Sequence, residues 1–396
     1  MKTIDLYQEK ELCCGCSLCA NVCPAQTIQM KPDKSGFFYP VVINEEACLG
    51  CQRCIKVCPI KNVGREKSEF IDYYAASYIS DAETISCSSG GLATGIARAF
   101  IKNGGVVYGA AYTKDYKGVK YIRVSDENML NLLKGSKYSQ AEKDMIYKRI
   151  SDDLSMGIKC LFIGLPCDVA AVSNYFKKSL GLYTIELVCH GPTSTEVQKQ
   201  YCESLERKHS SRITFFTNRY KKDGNWKPFY NYVEFDNSSS FMEQFHESSF
   251  GSAFRYLKRP SCYVCQIKDE ALCGDLMIGD YHYVESGMKG YNSHGVSSAM
   301  VHNAKGQELL ESLDDAMNVV RIPRRNALAN GAIHHPIDKP RGALKYRDIF
   351  LKEGLEAAHR KWFVTKSNIQ RRSKSALMNY AVKMKRIICP RSRPNG

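Results

Sequence analysis

Residues 13–24 read CCGCSLCANVCP, and residues 48–59 read CLGCQRCIKVCP. Both stretches contain the spacing C-x2-C-x2-C-x3-C-P, and the second copy follows the first by 35 residues. Three thiolates, each separated by two residues, can line a tight loop around one corner of an iron–sulfur cube, and the x3-C-P step carries the chain across to a second cube. The duplicated pattern therefore predicts two [4Fe–4S] clusters.

The eight cysteines are expected to divide crosswise between the two clusters, and the resulting module, residues 1–65, resembles a dicluster ferredoxin. The first set is Cys13, Cys16, Cys19 and Cys58, and the second is Cys48, Cys51, Cys54 and Cys23. Zinc binding by paired C-x2-C units is the alternative, but two complete runs with both prolines make it improbable. Cys14 is interpreted as an extra small residue in the loop.

The composition is that of a globular protein with metal or redox chemistry. Of 396 residues, 44% are hydrophobic and 24% charged, which excludes a disordered or fibrous chain. No apolar stretch is long enough to span a bilayer, and the N-terminus lacks the apolar core of a signal peptide. We therefore expect a cytoplasmic protein, in which 18 cysteines indicate metal or redox sites rather than disulfides.

The positive charge is concentrated at one end of the chain. Eleven of the cations and no acidic residue lie in residues 360–396, and without them the formal charge falls from +15 to +4. Residues 351–396 are thus predicted to be a basic tail that makes peripheral contact with an anionic membrane, at the inner face. Docking of an acidic ferredoxin and a solvated end are the alternatives. No nucleic-acid module accompanies the tail, so nucleic-acid binding is not expected.

Residues 66–350 alternate strand-like with helical patterns, which predicts an α/β (α+β) domain. A helix is expected at Leu92–Lys102. The predicted strands are Tyr73–Ile79, Val106–Tyr112, Cys160–Ile163, Tyr183–Val188, Ile213–Phe216, Phe229–Phe235 and Leu276–Gly279. Cys87-Ser-Ser-Gly-Gly91 joins the first strand to the helix, and a helix N-terminus with glycines suits a phosphate, although such loops often only cap a helix. No dinucleotide or Walker A motif indicates NAD or ATP.

Four further cysteines stand in suggestive surroundings. Cys167 ends the run GLPC, Cys189 lies in VCHGP, and Cys262 and Cys265 form a C-x2-C in SCYVC. They could converge on a third cluster. They could equally be two structural thiols and a small zinc knuckle, and the spacing leaves both interpretations open.

The series of motifs resembles the coenzyme F420 hydrogenase/dehydrogenase beta-subunit family over residues 12–306. The resemblance rests on the dicluster run followed by SSGG, GSKY, GLPC, CHG, SCYVC and IGD. It implies that the protein binds FAD and that Cys167, Cys189, Cys262 and Cys265 hold a third [4Fe–4S] cluster. The implied FAD contacts are Ser88, Ser89, Gly90, Gly91, Gly135, Ser136, Lys137 and Tyr138. At Tyr281-His282 the chain departs from the family pattern, which leaves the substrate open.

The resemblance also implies a function. Electrons from a ferredoxin-type donor pass singly through the clusters, and FAD collects two and delivers a hydride to a small-molecule substrate, for which a polysaccharide precursor is one candidate. Lys137 places a cation near the flavin phosphate or ring carbonyl edge, and His282 is the candidate proton donor. The alternatives are an electron-transfer beta subunit of a hydrogenase or dehydrogenase that uses coenzyme F420 or ferredoxin, and a redox-sensing or structural iron–sulfur protein.

Overall fold

The computed structural model describes residues 10–62, 69–177, 179–268 and 274–364. The α-helices are α1 (Leu18–Asn21), α2 (Arg53–Lys56), α3 (Asp81–Ile85), α4 (Leu92–Lys102), α5 (Ile146–Ser155), α6 (Pro166–Tyr175), α7 (Thr195–His209), α8 (Ser249–Tyr256), α9 (Ala304–Glu311), α10 (Arg324–Ala327), α11 (Ala343–Glu353) and α12 (Leu355–Ala358). Short 3₁₀ segments are Lys10–Leu12, Glu127–Leu132, Lys222–Gly224, Phe245–Glu247 and Pro260–Val264, and His359–Val364 is a π-helix.

The strands are β1 (Ile28–Pro32), β2 (Phe38–Val42), β3 (Asp72–Tyr78), β4 (Val106–Tyr112), β5 (Val119–Val124), β6 (Cys160–Gly164), β7 (Leu182–Leu187), β8 (Ile213–Tyr220), β9 (Tyr230–Phe235), β10 (Ser240–Gln244), β11 (Leu276–Asp280), β12 (Ser297–Val301) and β13 (Met317–Arg321). They form sheets of two, three and eight strands.

The N-terminal module repeats its backbone as well as its cysteines. Strands β1 and β2 form an antiparallel hairpin, and a short helix begins within each cysteine run. Ser17 before α1 and Gln52 before α2 are equivalent positions, and both adopt left-handed φ values, 67° and 57°. The turn that starts each helix is therefore the same in both halves.

The larger domain is built on the eight-stranded mixed sheet, in the order β13-β3-β12-β11-β7-β6-β4-β5. Strands β11, β7, β6 and β4 run parallel to one another at its centre, and the outer pairs are antiparallel. Parallel strands require covered faces, and α4 and α9 pack on one side of the sheet, with Ile96 and Leu309 buried in its core. The predicted fold class, a mixed α/β domain with a small N-terminal dicluster module, is confirmed.

A second core lies beside the large sheet. The antiparallel sheet β10-β9-β8 packs with α7, α8, α11 and α12, and buried aromatic side chains fill the space between them. Tyr138 and Tyr112, which belong to the large domain's loop and strand, contact this second core. The two cores therefore meet at residues near the predicted flavin loop.

The seven predicted strands coincide with β3, β4, β6, β7, β8, β9 and β11, and the predicted helix is α4. Six strands were missed, among them β12, whose sequence SSAMV begins with two serines and does not alternate apolar with polar residues, although every residue is buried. The domain boundaries remain predictions. The predicted tail begins at the end of α11, and residues 365–396 lie outside the described residues. Within the described part of the chain, no helix has the length and apolar character needed to cross a bilayer.

Candidate functional site

The first N-terminal cysteine set, Cys13, Cys16, Cys19 and Cys58, is buried. Burial, and then the neighbouring Cys13 and Cys58 thiols, raise the pKa of Cys19. The Cys16 carbonyl accepts a hydrogen bond of 2.7 Å from the Tyr147 hydroxyl of α5. The structure therefore places Cys58 of the second run near Cys19 of the first, and the crosswise ligand assignment stays a prediction.

The second set, Cys23, Cys48, Cys51 and Cys54, lines one small cavity. Here Cys23 crosses from the first run, and burial followed by the Cys23 and Cys51 thiols raises the pKa of Cys54. Cys51 is exposed, so this set reaches the protein surface. Among the described residues, no three His, Cys, Asp or Glu side chains are close enough together to hold a single metal ion.

A cleft of about 530 Å³ opens at the carboxyl ends of the central parallel strands. Cys167 follows β6, Cys189 follows β7, and Asp280 ends β11, and all three residues line the cleft. Ligands of open α/β sheets bind outside the carboxyl ends of the strands. The parallel core of the fold therefore assembles this site from residues far apart in sequence.

The four cysteines of the predicted third set lie together in this cleft. Cys262 and Cys265, in and just after the 3₁₀ segment that follows α8, complete the set with Cys167 and Cys189. Burial, and then the Cys189 and Cys265 thiols, raise the pKa of Cys262 to about 12. Gly191 has φ of 77°, and a Cβ there would lie 3.2 Å from the Cys262 sulfur, so the Cys189 loop passes close to the C-x2-C segment.

Buried cations surround this cysteine set, and sequence reasoning missed them. Lys268 donates to the Cys189 carbonyl, and Lys258 donates to the Gly191 carbonyl at 2.6 Å. Lys143 pairs at 3.1 Å with Asp168, the residue after Cys167. Burial lowers the pKa of Lys258 to about 7. Proximity to a cysteine motif was the only available signal, because no spacing rule marks such lysines.

The two predicted flavin loops meet at the other part of the cleft. Ser136 donates to the Ser88 hydroxyl across a distance of 3.0 Å. Gly91, with φ of 87°, is the N-cap of α4, and Leu92 and Ala93 of its first turn line the cleft. Ser88, Ser89, Gly91, Gly135, Ser136, Lys137 and Tyr138 line the cleft. A helix N-terminus beside glycines and hydroxyls is suited to a phosphate group.

Two of the predicted residues have a structural task in this loop. The Ser89 hydroxyl donates to the Val296 carbonyl at 2.8 Å, and the Gly90 amide donates to the Ser297 hydroxyl at 3.1 Å. A Cβ at Gly90 would collide with the Ala76 carbonyl. Gly90 thus lies behind the cleft wall and lets the loop pack directly on β3 and β12.

Lys137 is the cation of the predicted flavin site. Its ammonium donates to the Leu133 and Lys134 carbonyls at 2.8 and 2.7 Å. Within the described residues it has no salt bridge to a carboxylate. Burial lowers the pKa of Lys137 to about 7. A desolvated cation held by two carbonyls leaves positive potential for an anion in the cleft.

Arg219 of β8, which sequence reasoning did not identify, connects two parts of the cleft wall. It is 8% exposed, pairs with Asp280 at 3.0 Å and donates to the Ser88 carbonyl at 2.7 Å. Its guanidinium also lies 3.8 Å from the centre of the Phe229 ring. Trp226 Nε1 donates to the same Ser88 carbonyl at 3.3 Å. Nothing in the strand pattern of β8 distinguishes this arginine from an exposed one.

His282, the predicted proton donor, lies at the cleft mouth. The side chain is exposed, its Nδ1 is 3.5 Å from the Lys227 ammonium, and its ring stacks near Trp226. Partial burial, and then Lys227, lower the pKa of His282. His190 also lines the cleft and is exposed. Both histidines are therefore accessible to a molecule that enters from solvent.

Two stretches of the chain match known protein families. Residues 158–323 match the family model for the C-terminal domain of the coenzyme F420 hydrogenase/dehydrogenase beta subunit. Over these residues the chain is similar to the coenzyme F420 hydrogenase/dehydrogenase beta-subunit family. Residues 12–62 match the 4Fe-4S dicluster domain. The matched domains cover Cys167, Cys189, Cys262 and Cys265 and all eight N-terminal cysteines, and the chain is related to an iron–sulfur subunit of hydrogenases and dehydrogenases.

A search of curated proteins found no significant match. Among solved structures, the chain is similar to a chain of the F420-reducing [NiFe] hydrogenase complex from Methanosarcina barkeri, which was studied by xenon derivatization. The identity is 15% and the TM-score 0.45, over 74% of this chain and 91% of the other.

Proposed function

We propose that this chain is an iron–sulfur flavoprotein oxidoreductase. Electrons from a ferredoxin-type donor pass through [4Fe–4S] clusters to FAD and then, as hydride, to a small substrate. The observation that carries the proposal is the single cleft, which is lined by Cys167, Cys189, Cys262 and Cys265 and also by the Ser88–Gly91 and Gly135–Tyr138 loops. One-electron and two-electron cofactors would therefore be neighbours.

A third [4Fe–4S] cluster fits the donor set in the cleft. Cys167, Cys189, Cys262 and Cys265 supply four thiols, and Lys258 and Lys268 lie beside them. Thiolate ligation gives a cluster negative charge, and nearby cations and hydrogen bonds stabilise its reduced form. The cluster would supply one-electron transfer, and these lysines would favour its accepting an electron.

FAD fits the remaining part of the cleft. The whole cleft, which FAD would share with the cysteine set, has a volume of about 530 Å³, in the usual range for small-molecule sites. Lys137 offers a half-buried cation, the α4 N-terminus offers amide groups, and Ile163, Leu187 and Ile278 offer apolar wall. When bound, the flavin supplies the exchange between single electrons and a hydride. Lys137 would hold the anionic part of the cofactor.

The cleft mouth is the candidate substrate site. His282 is accessible there and could donate the proton that accompanies hydride addition. Asp280 is held by Arg219, which favours a role in orienting the wall rather than in proton transfer. The substrate itself is proposed only as a small molecule, with a polysaccharide precursor and coenzyme F420 as candidates to be assayed.

Electron entry is proposed at the second N-terminal set. Cys51 is exposed, whereas the first set is buried between this position and the larger domain. An external ferredoxin-type protein would reach the second set first. Peripheral contact of residues 360–396 with a membrane remains a proposal, to be measured by cosedimentation with anionic liposomes at low and high salt.

The second candidate function is an electron-transfer beta subunit of a larger hydrogenase or dehydrogenase complex. The match of residues 158–323 to the beta-subunit family model favours it. The dicluster module in the same chain favours a self-contained reductase instead, because electron entry is already built in. Copurification with a stoichiometric catalytic partner would decide for the larger complex.

The test of the proposed function is anaerobic purification with iron, sulfide and flavin counted per chain. Three cubane sites and one flavin predict about twelve Fe and about one FAD. About eight Fe would remove the third cluster. Absence of flavin, both as purified and after incubation with FAD, would remove the flavin mechanism.

A further inference from the structure

We propose that Arg259 and Cys14 form a junction that fixes the dicluster module against the third cysteine set. In this arrangement electrons would pass from the N-terminal clusters to the cleft without a movement of the module. Arg259 is the positioning residue of the junction. Cys14 is the residue whose sulfur lies between the first N-terminal set and the third set. The electron-transfer part rests on the proposed function, whereas the positioning part does not.

Arg259 is buried at the interface, with 1% of its surface exposed. Its guanidinium donates to the Cys13 carbonyl at 2.6 Å, to the Phe38 carbonyl at 2.9 Å and to Gln140 Oε1 at 3.1 Å. It also stacks 4.2 Å from the centre of the Tyr39 ring. One side chain of the larger domain thus holds both the first cysteine loop and strand β2 of the module.

Arg259 lies close in sequence to the third cysteine set. Arg259 is three residues before Cys262, so the segment that supplies Cys262 to the third set also supplies the side chain that holds the module. Gly15 leaves room for it, since a Cβ there would lie 2.8 Å from the guanidinium Nη1. The glycine inside the first cysteine run is therefore part of the interface with Arg259.

Cys14 lies where the two cysteine sets approach each other. Its side chain lies close to the side chains of Cys16 and Cys167, and it lines the cleft. Cys16 belongs to the first N-terminal set and Cys167 to the third. The sequence alone suggested a spare small residue, but the structure puts this side chain between the two sites.

The proposed transfer is balanced. The cluster that the Cys13 set would hold would lose one electron, and the cluster that the Cys167 set would hold would gain it. No bond is made or broken and no proton moves, so no further reactant is needed. A fixed module would keep the distance between the two sites constant during turnover.

The first experiment uses the full chain with the Arg259→Lys substitution. Lysine keeps the charge, but its donors all lie on one nitrogen atom, so it cannot reproduce the planar fork by which Nε, Nη1 and Nη2 reach three separate acceptors. We expect amide hydrogen exchange to rise about tenfold in residues 13–19 and 36–40, because hydrogen bonds to a charged group oppose local opening. Iron content and the thermal transition should stay close to those of the unsubstituted protein.

The second measurement is spectroscopic. In the partly reduced protein, magnetic interaction between the two clusters should broaden their electron paramagnetic resonance signals. Arg259→Lys should reduce this broadening, and Cys14→Ala should reduce it while leaving about twelve Fe per chain. Loss of about four Fe in Cys14→Ala would overturn the junction role, because Cys14 would then be a ligand.

Arg347→Lys is the matched control. Arg347 donates to the Ser35 hydroxyl at 3.1 Å at the edge of the same interface, and it is partly exposed. This variant should leave exchange and spectra close to those of the unsubstituted chain. If Arg259→Lys does not accumulate, Gln140→Ala removes one acceptor of Arg259 and should change both measurements in the same direction.

Unchanged exchange in Arg259→Lys and in Gln140→Ala would overturn the positioning role. Unchanged broadening in Arg259→Lys, with about twelve Fe present, would overturn the coupling. About eight Fe in the unsubstituted protein would overturn the proposed third cluster and the coupling with it. The exchange measurement would still decide whether Arg259 fixes the module.

Discussion

The N-terminal module and the cleft collect cysteines in opposite ways. In the module, each predicted set takes three cysteines from a single loop and the fourth from the other repeat, such as Cys58, which lies near Cys19. In the cleft, Cys167 and Cys189 follow two neighbouring parallel strands, and the C-x2-C segment arrives from beyond α8. Local spacing encodes the first kind of site, whereas the order of strands in a sheet creates the second.

The two regions also differ in their electrostatic surroundings. Cys51 of the module is exposed, and the loop around it meets solvent. The cleft set lies among the buried cations Lys258, Lys268 and Arg259. The first environment suits exchange with a partner, and the second suits a site that accepts an electron from the module.

The largest expected effect is a loss of iron that tests whether the second cysteine run supplies a ligand to the first set. Cys58→Ser should lower the iron content by about four Fe, because it removes the one ligand that the second run gives to the first set. Cys14→Ser, a neighbouring cysteine outside the assigned ligands, is the matched control and should keep its iron. Iron and sulfide counts after anaerobic purification check this. Full iron in Cys58→Ser would refute the crosswise assignment.

The next prediction tests whether the cleft set can lose its iron while the module keeps its own. Cys262→Ser should lose about four Fe and keep the remaining eight or so. Ferredoxin-driven reduction of FAD should then fail, whereas direct chemical reduction of bound FAD should persist. Absorption changes during anaerobic titration check both statements. Unchanged ferredoxin-driven reduction would mean that the cleft set lies off the electron path.

A smaller effect is expected at the flavin end of the cleft. Lys137→Gln should weaken FAD binding by about tenfold near pH 6, because it removes a charge-assisted hydrogen bond. The pKa of Lys137 is about 7 in the folded chain, so the ammonium is charged below this pH and neutral above it. The affinity of the unsubstituted chain for FAD should therefore fall as the pH rises from about 6 to about 8.

Flavin fluorescence titration of the cofactor-depleted chain measures this pH dependence. In Lys137→Gln the affinity should change little over the same range. Lys134→Gln is the matched control, because Lys134 is neutralised by Glu83 at 3.1 Å. A steep pH dependence that survives in Lys137→Gln would assign the titrating group elsewhere.

The smallest expected effect tests the charges around the cleft set. Lys268→Gln removes a buried cation that donates to the Cys189 carbonyl. We expect the potential of the third cluster to become more negative, because a reduced cluster loses electrostatic stabilisation. Redox titration followed by electron paramagnetic resonance measures it, and the potentials of the N-terminal clusters should not change. A shift toward positive values would contradict the role given to this lysine.

The sequence by itself determined the module and most of the central sheet. Each run of cysteines has a fixed spacing because its three ligands lie on one tight loop, so no tertiary information is needed to read it. Strands such as β4 and β7 are buried apolar runs, which predict strands locally. Strand β12, which is serine-rich, could not be found in this way because its burial comes from its neighbours.

Only the tertiary structure decided which distant groups meet at the cleft. The antiparallel and parallel pairings of β11 put Asp280 near the loop after β7, and β8 brings Arg219 to Ser88. Arg259, Lys258 and Cys14 carry no distinguishing pattern in the sequence. Their roles arise from burial and from contacts between residues far apart in the chain, which strand order and packing determine and local propensity does not.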